Sequence, residues 1–261
     1  MIHTPDRWLS KAGLATRGEV REWIASSRLH LCGAPVRDDQ VVASPGKNVL
    51  PPFALDGLPL VPPPPVLLMA NKPRGLLVSR LDGEDRPLIG SLLAGTPWDG
   101  RRFGAIRALG RLDQASAGLL LLTNFPELFS PFLDPEAGTL RTYRVQIRPS
   151  LRPEDRDLFF SGKAGGALGY GTIGVVLEKA STRTGWVRVT LAEGKNREVR
   201  TLFSEFGYRV LHLIRISFGP FELGNLPPGG LSDLTETVGK VGVSWVRWTA
   251  EKPSNRRTGR T

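Results

Sequence analysis

Residues 110–124, GRLDQASAGLLLLTN, set a lone carboxylate between an arginine-bearing turn and four consecutive leucines. Gly110 permits a tight turn, and Arg111 and Asp113 fall on one side of an extended backbone because side chains alternate with period two. The leucines at 119–122 form a run short and apolar enough for a buried strand. Asp113 is therefore expected at a sheet edge or on the floor of a cleft, where a carboxylate needs a cationic partner. Arg111 is the local candidate. The residues alone leave two readings open, a structural Arg–Asp turn or an acid placed for chemistry.

Outward from that stretch, VLLMA, TYRVQIR, GWVRVTL and VLHLIRI read as further strands with helices between them, which predicts a sheet-rich α+β domain over residues 66–248. In RTYRVQIR, Tyr143, Val145 and Ile147 alternate onto one face, so Tyr143 is either core or an aromatic on which a base stacks. EGKNREVR, residues 193–200, leads into a helix in which Val199, Leu202, Phe203 and Phe206 share a face and Gly207 suits the stop. Lys195, Arg197 and Arg200 crowd the start of that helix, the end where the macrodipole disfavours positive charge. An anion is expected there, either a protein carboxylate or a phosphate of RNA. GYGTIG, residues 169–174, has dinucleotide-type glycine spacing but lacks the required strand before it and helix after it, so it reads as a loop.

Residues 1–50 read as a small separate module. DRWLSKAG is a short helix, and TRGE is a capping box with Thr16 as N-cap and Glu19 three residues on. The second helix puts Val20, Trp23 and Ile24 toward a core, with Arg17 and Arg21 one turn apart on the other side. Those two arginines either hold phosphates or form a solvated basic face. LHLCGAPV predicts two short strands turning at Cys32 and Gly33. The proline-dominated residues 51–65 are expected to be an extended linker, and residues 249–261 a polar, basic, disordered tail.

Composition narrows the partners. The chain of 261 residues is 40% apolar, ordinary for a packed core, and carries 35 Lys and Arg against 25 Asp and Glu. A formal charge of +10 favours a polyanion, with nucleic acid first. One cysteine precludes an internal disulfide, and the start of the chain resembles no signal peptide, so a soluble cytoplasmic protein without membrane association is expected. The three scattered histidines offer no metal-ligand spacing and no Cys/His nucleophile. Catalysis would rest on carboxylate, Tyr, Lys or Arg.

Five segments, ANKPRGLLVS (70–79), GRLDQASAGLLLLTN, RTYRVQI, EGKNREVRTLF (193–203) and FGPFELGNLPPGGLSDLT (218–235), resemble in order and approximate spacing the bacterial ribosomal RNA pseudouridine synthases of the small-subunit synthase A and large-subunit synthase B, E and F type. The resemblance covers nearly the whole chain. It implies an S4-like RNA-binding module followed by a catalytic domain with a central, mostly antiparallel mixed sheet and flanking helices. It also implies an isomerase, acting as a monomer without metal or organic cofactor, that detaches uracil from ribose, rotates it and rejoins it through carbon 5. By the same resemblance Asp113 is the catalytic acid, Tyr143 stacks on the uracil, and Lys195 is the counter-ion of Asp113. Lys72, Arg74, Arg111, Arg197 and Arg200, with Arg17 and Arg21 of the first module, are then expected to contact RNA. The substrate implied is ribosomal RNA, of the large subunit from the EGKNREVR form, with the small subunit and a non-catalytic ribosome-assembly role as alternatives.

The chain departs from the family's pattern at several places. Ala117, Phe125, Pro126 and Arg141 replace commoner residues around the motifs of the catalytic domain, and Gly18, Ser27 and Cys32 do so in the first module. His212 and Ile214 stand at positions often basic. These changes bear on RNA grip and on substrate choice, and none removes a catalytic group.

Overall fold

The computed structural model describes residues 2–43, 49–79, 85–99, 104–126, 138–161, 163–166, 174–192, 197–237 and 249–250. The leucine run is a strand, and leucines 119–122 are at most 2% exposed. Its end is pinned by side chains: Asn124 accepts from the Val66 N–H at 2.9 Å and donates to the Pro64 carbonyl at 2.8 Å, and the Thr123 hydroxyl donates to the Val66 carbonyl at 2.6 Å. The segment entering the large sheet is thus clamped to the segment that closes the leucine strand.

The N-terminal part contains β1 (Ile2–His3), α1 (Pro5–Lys11), α2 (Arg17–Ala25), β2 (Leu29–Leu31), β3 (Ala34–Pro35), β4 (Val42–Ala43), β5 (Val49–Leu50), β6 (Phe53–Leu55) and β7 (Leu58–Pro59). The capping box forms as expected, with the Glu19 N–H donating to Thr16 Oγ1 at 3.2 Å and the Thr16 N–H donating to Glu19 Oε2 at 2.7 Å. Cys32 and Gly33 make the expected turn with φ of 51° and 83°, the doubly positive pattern of a tight two-residue hairpin. Trp8, Leu9, Val20, Leu29 and Phe53 share one buried core.

The expected linker is corrected over its first half. β6 pairs antiparallel with β2 and β7 with β6, giving a four-stranded sheet in the order β3-β2-β6-β7. The module therefore runs to about residue 60, because Phe53 fills its core while the surrounding prolines sit at strand ends, where no ladder N–H is needed.

The large sheet comprises β8 (Leu67–Lys72), β9 (Arg107–Leu109), β10 (Ala117–Thr123), β11 (Arg141–Arg148), β12 (Gly174–Ala180), β13 (Gly185–Leu191), β14 (Arg209–Phe218), β15 (Phe221–Glu222) and β16 (Leu231–Asp233). Their order is β12-β13-β11-β14-β10-β8-β16, with β9 beside β10 and β15 beside β14. Among the described residues of this sheet only β10 and β14 run parallel, and they are registered at two positions, Ala117 with Ile214 and Gly118 with Arg215. This short seam, where the sheet begins to part, is also where the cleft lies.

Helices α3 (Pro153–Phe160), α4 (Lys163–Gly166) and α5 (Glu198–Glu205) complete the domain, an α+β fold with a mixed sheet. Val199, Leu202 and Phe203 share one buried core with Val145, Ile147, Val187, Val189 and Leu213, and α5 packs beside β14. The Tyr208 N–H closes the helix on the Phe203 carbonyl, with Gly207 at φ 76°. The strand β17 (Thr249–Ala250) returns to pair in parallel with β5.

Candidate active site

Asp113 lies between β9 and β10, in a loop tied down at both ends. The Ser116 N–H donates to the Asp113 carbonyl at 3.0 Å, and Gly75 and Gln114 exchange hydrogen bonds of 2.9 and 3.0 Å across the loop. Below it, the ammonium of Lys72 at the end of β8 donates to the carbonyls of Ser116, Pro73 and Gln114 at 2.7, 3.1 and 3.4 Å. Leu112 is buried in the core beside Tyr143 and anchors the loop from inside.

The carboxylate is left about a third exposed and faces two guanidinium groups. Arg197 Nη1 and Arg200 Nε stand 3.8 and 3.9 Å from Asp113 Oδ2, too far for hydrogen bonds and close enough for charge pairing. Arg200 is the more effective partner because its side chain is 14% exposed and that of Arg197 is 57%, so water screens it less. Burial and the Arg197 charge lower the proton affinity of Arg200 below the ordinary guanidinium value, and Asp113 opposes them. Arg197 caps α5 at φ 55°, a left-handed conformation for a residue with a Cβ, so its place beside Asp113 is held against some backbone strain.

A cleft of about 510 Å³ opens in front of Asp113, a volume suited to one nucleoside. Tyr143, Leu191, Val199 and Leu213 give it apolar lining, and Arg141, Arg215 and Phe218 line it as well. Arg141 and Arg215 are both buried and lie over the Phe218 ring at 5.2 and 5.4 Å from its centroid. Arg141 donates to the carbonyls of Thr139 and Ala192, and Arg215 Nε to that of Leu119 at 2.7 Å. Burial lowers the proton affinity of Arg141 most, and Arg215 adds to that effect.

The structure sorts the expected site residues. Asp113, Tyr143, Arg111 and Arg197 line the cleft, and Arg200 reaches Asp113 from behind it. Among the described residues the cations within 4.0 Å of Asp113 are Arg197 and Arg200, so Arg111 is not its ion-pair partner. Lys195 lies outside the described residues. Lys72 is a correction: it is wholly buried, its ammonium is spent on three carbonyls, and no phosphate can reach it. Burial pushes its pKa down to about 8, with the Asp113 charge acting to raise it.

Arg74 is exposed beside His212, 3.3 Å away. Arg17 and Arg21 stand apart from the cleft and both pair with the buried carboxylate of Asp6 at 2.8 and 3.3 Å, which ties α2 to α1. Sequence reasoning missed Arg215 as a cleft residue. The signal was present, since Leu213 and Arg215 occupy the same face of an alternating strand, and a cation at an inward position is unusual.

Among the described residues no group of His, Cys, Asp and Glu could hold a metal, and no helix is long and apolar enough to cross a membrane. The arrangement instead offers a carboxylate aimed into a nucleoside-sized cleft under cationic cover.

Comparison with known proteins meets this geometry. Residues 66–205 match the family described as RNA pseudouridylate synthase. A Rickettsia felis protein named as an uncharacterized RNA pseudouridine synthase is 30% identical over 237 residues, covering 88% of this chain and 96% of its own. A Mycobacterium tuberculosis protein of the same description is 33% identical over 237 residues, 87% of each chain. A crystal structure of a pseudouridylate synthase superposes with a TM-score of 0.57 at 21% identity over 92% of this chain and 98% of that one, which shows the shared fold. With the family match spanning the β8–α5 framework that builds the cleft, the chain belongs to the RNA pseudouridine synthases and is an enzyme of that class.

Proposed function

We propose that the enzyme isomerises one uridine of ribosomal RNA, in the large subunit, with Asp113 as its catalytic carboxylate. The observation that carries this reading is the placement of Asp113: a strapped loop presents the carboxylate to the cleft between Arg197 and Arg200. Two cations orient an acid and stabilise its charge, as a nucleophile or base requires. The uridine leaves its stack and enters the cleft, with Arg111, Arg197 and Arg74 supplying cations for the flanking phosphates.

Asp113 then acts at the ribose, either by adding to carbon 1 as the bond to uracil N1 breaks or by promoting elimination to a glycal. Uracil turns in place and its carbon 5 bonds to ribose carbon 1 as the Asp113 ester bond breaks or, on the glycal route, as ribose carbon 2 takes back its proton. The carbon 5 proton departs and uracil N1, freed from ribose, gains one. Tyr143, on the cleft wall, stacks on the ring and assists that proton transfer. Lys195, expected as the counter-ion of Asp113, keeps that role in this proposal. Atoms balance without a cofactor because the reaction is an isomerisation. The module of residues 1–50, extended through β7, serves as an S4-like RNA anchor of the small-subunit synthase A and large-subunit synthase B type, and the protein acts as a cytoplasmic monomer.

Asp113→Asn is expected to abolish isomerisation with RNA affinity largely kept. Carbodiimide mapping of ribosomal RNA from cells lacking the protein identifies the position, and loss of a small-subunit pseudouridine instead would move the target. If no pseudouridine disappears from either subunit, the ribosomal reading fails.

A further inference from the structure

The sheet has a second face. Along β11, Arg141, Tyr143, Val145 and Ile147 point to the core and cleft, and the alternate residues Thr142, Arg144, Gln146 and Arg148 point away, half-buried or exposed. Register carries this outer face across three strands: Gln146 lies opposite Trp186 of β13 and His212 of β14, and Arg144 lies opposite Arg188 and Ile214. Trp186 and His212 incline over Gln146 as a stacked pair, with ring centroids 6.2 Å apart and planes 27° apart. The Arg144 guanidinium sits 5.0 Å from the centre of the Trp186 ring. Glu178 of β12 holds Arg144 and Arg188 at 2.8 and 2.7 Å, which fixes both cations beside the ring.

We propose that this outer face of β13, β11 and β14 is a second RNA-binding surface, on which an unpaired base of the substrate strand stacks against the Trp186 and His212 pair while Arg188 and Arg74 take its phosphates. A partly exposed indole flanked by guanidinium groups and a side-chain amide is the combination that holds single-stranded RNA on a sheet: aromatic faces accept any base, cations track the backbone, and an amide reads a base edge. The charge suits a polyanion, since Arg144, Arg188 and Arg148 with Arg74 outnumber Glu178.

The surface also connects to the cleft. Arg74 touches His212 on one side, and on the other its charge is felt by Arg200, which faces Asp113. A strand with its uridine in the cleft would leave over Arg74 and cross onto Trp186 at the parted seam between β10 and β14. The inference rests on RNA being the substrate and is independent of which carboxylate does the chemistry.

The test is fluorescence anisotropy of the full chain with a labelled single-stranded 12-mer of uridine and, for comparison, a blunt RNA duplex of equal length. Trp186→Ala is expected to weaken the single strand about five-fold or more, the value of one lost base stack, and to leave the duplex nearly unchanged. Trp186→Phe, which keeps an aromatic face, is expected to recover most of the loss. Cross-linking of a 4-thiouridine 12-mer should place label on the peptide carrying Trp186. The proposal is overturned if Trp186→Ala binds the single strand as the parent does, if Phe and Ala are equally impaired, or if the cross-link maps only to cleft peptides. None of these readings requires turnover, so an active Asp113→Asn enzyme would sink the catalytic assignment and leave this one standing.

Discussion

Lys72 shows how one residue can look like a ligand contact and be a strut. In sequence it is a basic side chain in ANKPRG beside Arg74. In the fold it is buried under the Asp113 loop with its three donors on carbonyls. Its pKa falls from 10.5 to about 8, so between those values the unfolded chain binds the proton more tightly than the folded one. Stability contributed at this site therefore rises as pH climbs through that window, because the penalty for burying the charge is relieved. The stability of the parent over Lys72→Met should grow between about pH 8 and 10.5, by at most about 1.4 kcal/mol per pH unit. Urea midpoints at pH 7.5, 9 and 10 would show it, and a pH-independent difference would mean that Lys72 is not titrating in the fold.

At the scale of elements, the parallel seam between β10 and β14 decides where the cleft opens. Gly118 has φ 105°, and a Cβ there would stand 2.2 Å from the Arg215 carbonyl oxygen and 2.6 Å from its nitrogen. Backbone cannot yield as a flexible side chain can, so Gly118→Ala must push β14 away. It should destabilise the protein by roughly 2 kcal/mol or more and displace Arg215 from the cleft, with loss of turnover. Gly57→Ala is the comparison, since its φ is 81° but its Cβ would meet nothing within 4 Å. It should cost only about 1 kcal/mol and spare activity. Equal urea midpoints for the two variants would refute the steric argument. The helix α5, the Cys32–Gly33 hairpin and the Thr16 capping box were legible in advance because each is written in a few adjacent residues. β6 was not, since its prolines signal a linker and its partner, β2, lies over twenty residues earlier.

At the scale of the molecule, the first module is locked to the large domain by backbone. The Ala105 N–H donates to the Gly13 carbonyl at 3.0 Å, and a Cβ on Gly104 would fall 2.0 Å from that same oxygen. The Arg107 guanidinium adds bonds to the Ser10 hydroxyl and carbonyl at 3.0 and 2.8 Å. Gly104→Ala is expected to undock the module. Calorimetry should then resolve two transitions where the parent shows one, and limited proteolysis should cut near residues 60–65. A single unchanged transition would show that the junction contributes little. A fixed junction matters for RNA, because it sets one distance and angle between the anchor proposed for the first module and the cleft.

The amino-acid sequence by itself determined the strands by their apolar runs and alternation, the α2 start and the α5 stop by their capping residues, and membership of the pseudouridine synthases by the order of five motifs. Each run, cap and motif is written in neighbouring residues. Tertiary structure alone decided that Asp113 faces Arg197 and Arg200 rather than Arg111, that Lys72 is internal, that Arg215 enters the cleft, and that Trp186 meets His212 over Gln146. The physical reason is common to all four. Their partners are brought together by sheet register and by the parting of β10 from β14, which are set by packing between segments remote in sequence.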